Sequence, residues 1–178
     1  STSGMTILHN AMPIDPLFFS TSNGKTENSE DVWDKALPYL RSVTSPGEET
    51  SPRFLSVEQV PIDEVSAKLR QKWPDLAIDT KNPTRQWKVQ EIGTGGRIKT
   101  VEIAGKTIKG TELRALFELN STDIKWEKSG NQIKFTCIGF GHGVGMSQYG
   151  ANAMAKSGSN YVDILKHYYT GVEIKKAF

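Results

Sequence analysis

Apolar residues recur along this chain with two different periods, and each change of period marks a new element. From Ile133 to Cys137 they alternate, Ile133-Lys134-Phe135-Thr136-Cys137, which predicts a strand with Ile133, Phe135 and Cys137 on one buried face. Behind Pro61 the spacing becomes helical through Ile62, Val65, Leu69 and Trp73, so residues 61–73 are predicted to form an amphipathic helix. Thr111 is placed to cap a helix carrying Leu113, Leu116 and Phe117 on one face. A helix is predicted from Ser147 to Ala155, with Gly158 past its end. A last one follows Asn160, with Ile164, Leu165 and Tyr168 inward, and Gly171 stops it before a terminal strand from Val172 to Lys175. The bland reading of these stripes is core, and it is the one adopted.

Strand composition also marks Met5 to Leu8, Leu17 to Ser20, Trp87 to Val89, Thr100 to Ile103 and Ile124 to Trp126. The turns between them are written in Pro13 to Pro16, Asn23-Gly24, Gly93-Thr94-Gly95-Gly96 and Ser129-Gly130-Asn131. Asn28 or Ser29 is predicted to cap a short helix through Val32, Trp33 and Leu37 that ends at Pro38. Composition makes Ser45 to Pro52 an exposed loop and the best proteolysis candidate. The order of elements is α+β: mixed, hairpin-rich sheets, above all in the N-terminal third, with several short helices. Residues 1–178 read as one domain, with a small inserted lobe over 54–120.

Composition narrows the function classes. The chain has 178 residues, 37% of them hydrophobic, which is enough for a sizeable core. A net charge of +2 with no long basic run leaves no electrostatic footprint for nucleic acid. No stretch has the apolar length of a membrane span or the layout of a signal peptide. The single cysteine, Cys137, excludes an internal disulfide. Ser1 is not an initiator methionine, and a predicted strand follows almost at once, so a fragment of something longer is expected.

The densest signal runs from Gly139 to Gly150, Gly-Phe-Gly-His-Gly-Val-Gly-Met-Ser-Gln-Tyr-Gly. Glycine is retained where the backbone turns sharply or lies close to a ligand, so this block is the expected functional surface. Three chemistries were weighed. Cys137 and His142 as thiolate and base, or as two zinc ligands, fail for want of further ligands and because the alternation buries the thiol. A phosphate loop fails because the lysine that follows directly on glycine is missing. No metal and no cofactor is expected. For His142 a structural imidazole and a substrate contact stay equally open, and Ser147 reads equally as a helix cap. From Lys128 to Val162 there is no aspartate or glutamate, so the block holds no general acid for glycosidic chemistry. The nearest acids in the other polar cluster, Glu27, Glu30 and Asp31, read as first-turn helix carboxylates.

Phe18-Phe19-Ser20-Thr21-Ser22-Asn23-Gly24-Lys25-Thr26-Glu27-Asn28, then Pro38-Tyr39-Leu40-Arg41-Ser42-Val43, then Gly141 to Ala151, and finally Ile164 to Tyr169, resemble the motifs of the stage II sporulation protein D family, in their order. That family includes amidase enhancers, and the resemblance runs over essentially the whole chain. It implies a lytic transglycosylase that cleaves the bond between N-acetylmuramic acid and N-acetylglucosamine in peptidoglycan during forespore engulfment. The sugar's own 6-hydroxyl is then the nucleophile, leaving a 1,6-anhydro end, and one carboxyl group suffices as acid and then base. In relatives that glutamate sits in a Ser-Glu-Met-Pro-like segment upstream of the Ser-Thr-Ser-Asn-Gly motif. No such segment occurs here. The chain is therefore expected to be the C-terminal part of the enzyme, with no catalytic residue of its own and inactive alone.

The matching motif positions imply substrate-groove roles for Ser20, Thr21, Ser22, Asn23, Thr26, Tyr39, Arg41, His142, Ser147, Gln148 and Tyr149. Hydroxyls and amides suit sugar hydroxyl and acetamido groups, Tyr39 offers a stacking face, and Arg41 suits a lactyl carboxylate. The implied partners are glycan strands, the N-terminal segment of the same protein and a cell-wall amidase, with no nucleic acid. The implied place is extracytoplasmic, between mother cell and forespore, anchored through an N-terminal helix that this sequence lacks. The alternative is a noncatalytic glycan-binding module that enhances or recruits an amidase.

Overall fold

The computed structural model of the chain describes residues 4–33 and 35–176. The elements run β1 (Met5–His9), β2 (Met12–Pro13), β3 (Phe18–Phe19), α1 (Ser29–Val32), β4 (Leu55–Pro61), α2 (Ile62–Lys72), β5 (Trp87–Ile92), β6 (Ile98–Ile103), β7 (Lys106–Lys109), α3 (Gly110–Leu116), β8 (Ile124–Ser129), β9 (Gln132–Ile138), β10 (Met146–Ser147), α4 (Gln148–Lys156), α5 (Tyr161–Tyr168) and β11 (Glu173–Lys176). The class is α+β, in four small sheets ordered β11-β1-β2, β10-β3, β4-β9-β8 and β5-β6-β7.

The helical period behind Pro61 gives α2 with Ile62, Val65 and Leu69 buried, and the alternation gives β9 with Ile133, Phe135 and Cys137 inside. These join Trp87, Val101, Ile103, Ile108, Leu113 and Phe117 in the larger core, where Phe117 stacks on Phe135 at 5.1 Å between ring centres. This core extends past residue 120 into the β8–β9 hairpin. A second, smaller core gathers Leu40, Val144, Ile164, Tyr168, Tyr169 and Val172.

Three expectations need correction. Beyond the β1–β2 turn the N-terminal third is not hairpin-rich: β3 pairs in parallel with the distant β10, Phe18 opposite Met146 and Phe19 opposite Ser147. The helix at Ser29 stops at Val32, because the Ser29 hydroxyl accepts from Leu37 N–H at 2.8 Å and folds the following chain back. The segment from Ser45 to Pro52 is no exposed loop. It carries a short 3₁₀ turn at Glu48–Thr50, and although Pro46, Glu49, Thr50 and Pro52 are exposed, Ser45, Glu48 and Ser51 are buried, since their polar atoms find partners in Thr21, Ser22 and Tyr168, distant in sequence. Strands β4 and β7 were not anticipated. Leu55 and Val57 on β4 are exposed apolar positions on an edge, a pattern without the one-sided burial that periodicity detects.

Candidate functional site

The parallel β3–β10 pairing begins a seam that zips the two polar motifs together. Thr21 and Phe140 exchange backbone hydrogen bonds at 3.0 and 2.8 Å, and Glu27 N–H donates to the Gly143 carbonyl at 2.7 Å. The seam is continued by Tyr149 N–H, which donates to the Ser20 carbonyl at 3.2 Å. Segments more than a hundred residues apart therefore form one surface, with Ser20, His142, Ser147, Gln148 and Tyr149 around it.

The glycine block is shaped by the protein itself: Gly139, Gly141, Gly143 and Gly145 all adopt positive φ, the sharp turning expected of it, and pack closely against neighbouring groups. A Cβ at Gly139 or Gly143 would strike the Arg97 guanidinium, at 3.1 Å from Nη2 and 2.9 Å from Cζ, and one at Gly141 would lie 2.8 Å from the Phe19 Cβ. Gly145, at φ +79°, holds its Cα against the Leu17 carbonyl. Gly150 is held against Ser45 Oγ, the Tyr168 hydroxyl and Glu48. The density of glycine is the imprint of the protein's own packing: Arg97, Phe19 and the Leu17 and Thr21 carbonyls crowd the loop, and the Ser45, Tyr168 and Glu48 cluster lies under α4.

Arg97 is 2% exposed and donates through Nη1 to the Gly141 carbonyl at 2.9 Å. Its Nε and Nη2 have no partner among the described residues. Burial holds its pKa down to about 10, against the favourable charges of Glu27, Asp123 and Glu48. Glu27 is also buried, and its carboxylate accepts from Gly95 N–H at 2.8 Å and Arg97 N–H at 3.0 Å. Burial pushes the Glu27 carboxyl up, while those two donors and the Arg97 charge oppose the rise. Glu48 accepts from Ser22 N–H and Oγ, each at 2.9 Å, and from Ser45 Oγ at 2.5 Å.

The predicted groove residues divide by exposure. Thr21, Ser22, Thr26 and Ser147 are buried and satisfied internally: Thr21 Oγ1 bonds Ser51 Oγ at 2.8 Å, Ser22 binds Glu48, Thr26 Oγ1 accepts from Val43 N–H at 2.9 Å, and Ser147 caps α4. Asn23 donates to the Gly95 carbonyl at 3.0 Å and to Asp123 at 2.8 Å. The side chains of Tyr39 and Arg41 are engaged by residues other than those of the seam. The Tyr39 ring lies 5.7 Å from His9 and its hydroxyl accepts from Asp15 N–H at 3.4 Å; Arg41 is engaged bidentately by Glu30. That ion pair holds the Glu30 carboxyl down to about 2. Ser20, Asn23, His142 and Tyr149 are half-buried, and Gln148 is exposed.

His142 is fixed as a neutral ring. Its Nε2–H donates to the Phe18 carbonyl at 3.0 Å, which can only accept, and Nδ1 accepts from Val144 N–H at 3.1 Å. Burial, with Arg114 and Arg97 nearby, depresses its pKa to about 4. With both nitrogens committed it is not a general base. One face of the ring meets Phe19 at 5.5 Å and another meets Trp33 at 5.1 Å. Trp33 is 41% exposed and Phe18, pointing out where Phe19 points in, is 58% exposed. This aromatic ledge beside Gln148 and Tyr149 was missed at Trp33, because nothing local in the sequence ties position 33 to position 142. Arg97 and Glu48 gave no local signal either.

Among the described residues no group of three His, Cys, Asp or Glu side chains is placed to hold a metal ion. Cys137 is 1% exposed and burial pushes its thiol up. No helix among them is long and apolar enough to cross a membrane.

No protein-family model matches the chain. It is 43% identical over 177 residues, 99% of its length, to stage II sporulation protein D of Bacillus subtilis, and 41% identical over 176 residues to stage II sporulation protein D of Bacillus amyloliquefaciens. An amidase enhancer of Bacillus subtilis matches at 26% identity over 220 residues, covering 97% of this chain and 31% of its own. The chain spans about half the length of the two sporulation relatives, 50% and 49%.

Proposed function

We propose, from its match to stage II sporulation protein D over 99% of its residues, that the chain forms the glycan-contacting part of a peptidoglycan lytic transglycosylase whose general acid comes from outside these 178 residues. The observation that carries this reading is the state of the carboxylates around the glycine block. Glu27 and Glu48 are each 1% exposed, with Glu27 accepting from two backbone N–H groups and Glu48 from Ser22 and Ser45, and Glu30 is locked to Arg41. None of these three can both reach a glycosidic oxygen and cycle a proton. What the seam does offer is contact. Phe18 and Trp33 present aromatic faces to a sugar ring, and Gln148 and Tyr149 offer amide and hydroxyl groups for acetamido and hydroxyl recognition, while the Asn23 amide is spent on Gly95, Asp123 and Lys25. Ser20, His142 and the buried Thr21, Ser22, Thr26 and Ser147 hold that surface in register. Tyr39 and Arg41 serve the same scaffold.

In the complete enzyme, a single carboxyl group would protonate the leaving oxygen and then take the proton of the 6-hydroxyl as the 1,6-anhydro ring closes. The setting proposed is the extracytoplasmic space of the engulfing sporangium, alongside an amidase that strips stem peptides. The match to an amidase enhancer favours a second reading, a noncatalytic module that binds glycan and assists that amidase.

Co-sedimentation with peptide-stripped glycan strands, followed by analysis of the ends, tests the proposal. The chain binds without releasing anhydromuramic ends, and Trp33→Ala and Gln148→Ala each weaken binding about tenfold, worth about 1.4 kcal/mol, at unchanged thermal stability. Unchanged binding in both variants refutes the groove. Anhydromuramic ends from the chain alone refute the external acid.

A further inference from the structure

The smaller core has an open side that the function above does not use. Met5 and Ile7 of β1, Ile174 of β11, Met146 of β10 and Tyr161, Ile164 and Leu165 of α5 line an apolar trough of about 390 Å³. Ile7 and Ile174 are paired across the strands, so their side chains share one face. The trough is not a stray surface leucine. Met5, Ile7, Met146, Leu165 and Ile174 are all partly exposed, and Tyr161 is 43% exposed, although Ile7, Met146 and Leu165 also pack on the core beneath. Such a contiguous apolar strip on a water-facing surface marks a place that another polypeptide covers.

We propose that this trough is the docking site for the portion of the family's polypeptide that lies outside the matched region, through an apolar segment of that portion. The proposal rests on the reading that the complete protein is a longer enzyme. Its occupant is argued from length: the sporulation relatives match this chain over 99% of its residues but over only about half of their own, so roughly as much polypeptide again lies outside the match in them. The position fits the task. β10, whose Met146 floors the trough, continues directly into Ser147 and Gln148 at the seam and pairs with β3 beside His142. A segment seated on Met146 therefore lies on the strand that leads into the proposed glycan surface.

The test titrates this chain with the separately expressed unmatched half of the Bacillus subtilis relative and follows amide hydrogen exchange. Protection is expected in β1, β10, β11 and α5, with the β5–β6–β7 sheet unaffected. Tyr161→Glu and Met5→Glu, both at the rim, should weaken association at least tenfold while leaving the melting temperature and glycan co-sedimentation unchanged. No association, protection that avoids the trough, or equal affinity of both charged variants overturns the proposal. So does concentration-dependent self-association abolished by either charge, which would make the occupant a second copy. Because glycan co-sedimentation by the chain alone reads the seam directly, failure of docking and failure of the glycan reading give different results.

Discussion

Replacing His142 by glutamine removes one titrating group from the seam and keeps a polar side chain of similar reach. The histidine is neutral in the fold, with Nε2–H given to the Phe18 carbonyl and Nδ1 receiving Val144 N–H. Protonating Nδ1 breaks the second bond and puts a positive charge in a partly desolvated site near Arg97 and Arg114. The ring's pKa therefore falls from 6.5 in the unfolded chain to about 4 in the fold. Between these values the unfolded state binds more protons, so stability is fully present above pH 6.5 and is lost as the pH falls toward about 4.

At about 1.4 kcal/mol per pH unit the full depression is worth about 3 kcal/mol, and solvent reaching the half-exposed ring trims this to about 2 kcal/mol. Urea unfolding of the wild type and of His142→Gln between pH 7 and pH 4 isolates the contribution, because the remaining carboxylates titrate alike in both. The wild type should lose about 2 kcal/mol more than the variant on acidification. A difference between the two that stays constant across this range refutes the buried, neutral histidine.

Two further outcomes follow from packing. Gly150→Ala forces a methyl into the Ser45, Tyr168 and Glu48 cluster and should cost about 2–3 kcal/mol, lowering the melting temperature by about 5–10 °C; an unchanged melting temperature contradicts the packing of α4 on Glu48. The Cys137 thiol, buried and raised in pKa, should react with a disulfide reagent at least about 100-fold more slowly in the native protein than in urea. Equal rates contradict the β9 burial pattern.

Much of this fold was legible because its signals are local. The stripe behind Pro61, the alternation in β9, Ser147 as cap of α4 and Asn160 accepting from Val162 and Asp163 N–H all depend on residues a few positions apart. The family motifs were legible for the same reason, as contiguous strings. The glycine block stood out as a string too, but its meaning did not. Why it is rich in glycine depends on Leu17, Phe19, Thr21, Ser45, Glu48, Arg97 and Tyr168, groups remote in sequence from the glycines they crowd, and no window of sequence joins them. The segment from Ser45 to Pro52 misled for the same cause: its serines and glutamate have the composition of a loop, and only their pairing with Thr21, Ser22 and Tyr168 decides that they are interior.

The sequence by itself determined the longer helices, the β8–β9 hairpin, the resemblance to stage II sporulation protein D and the lack of any carboxylate from Lys128 to Val162. Tertiary structure decided the rest: which polar residues face water, which carboxylates are spent on backbone N–H groups, and that Trp33 stands over His142. The physical reason is that secondary structure answers to short-range periodicity and capping, whereas burial of a charge is set by partners that only the folded chain brings within hydrogen-bond reach.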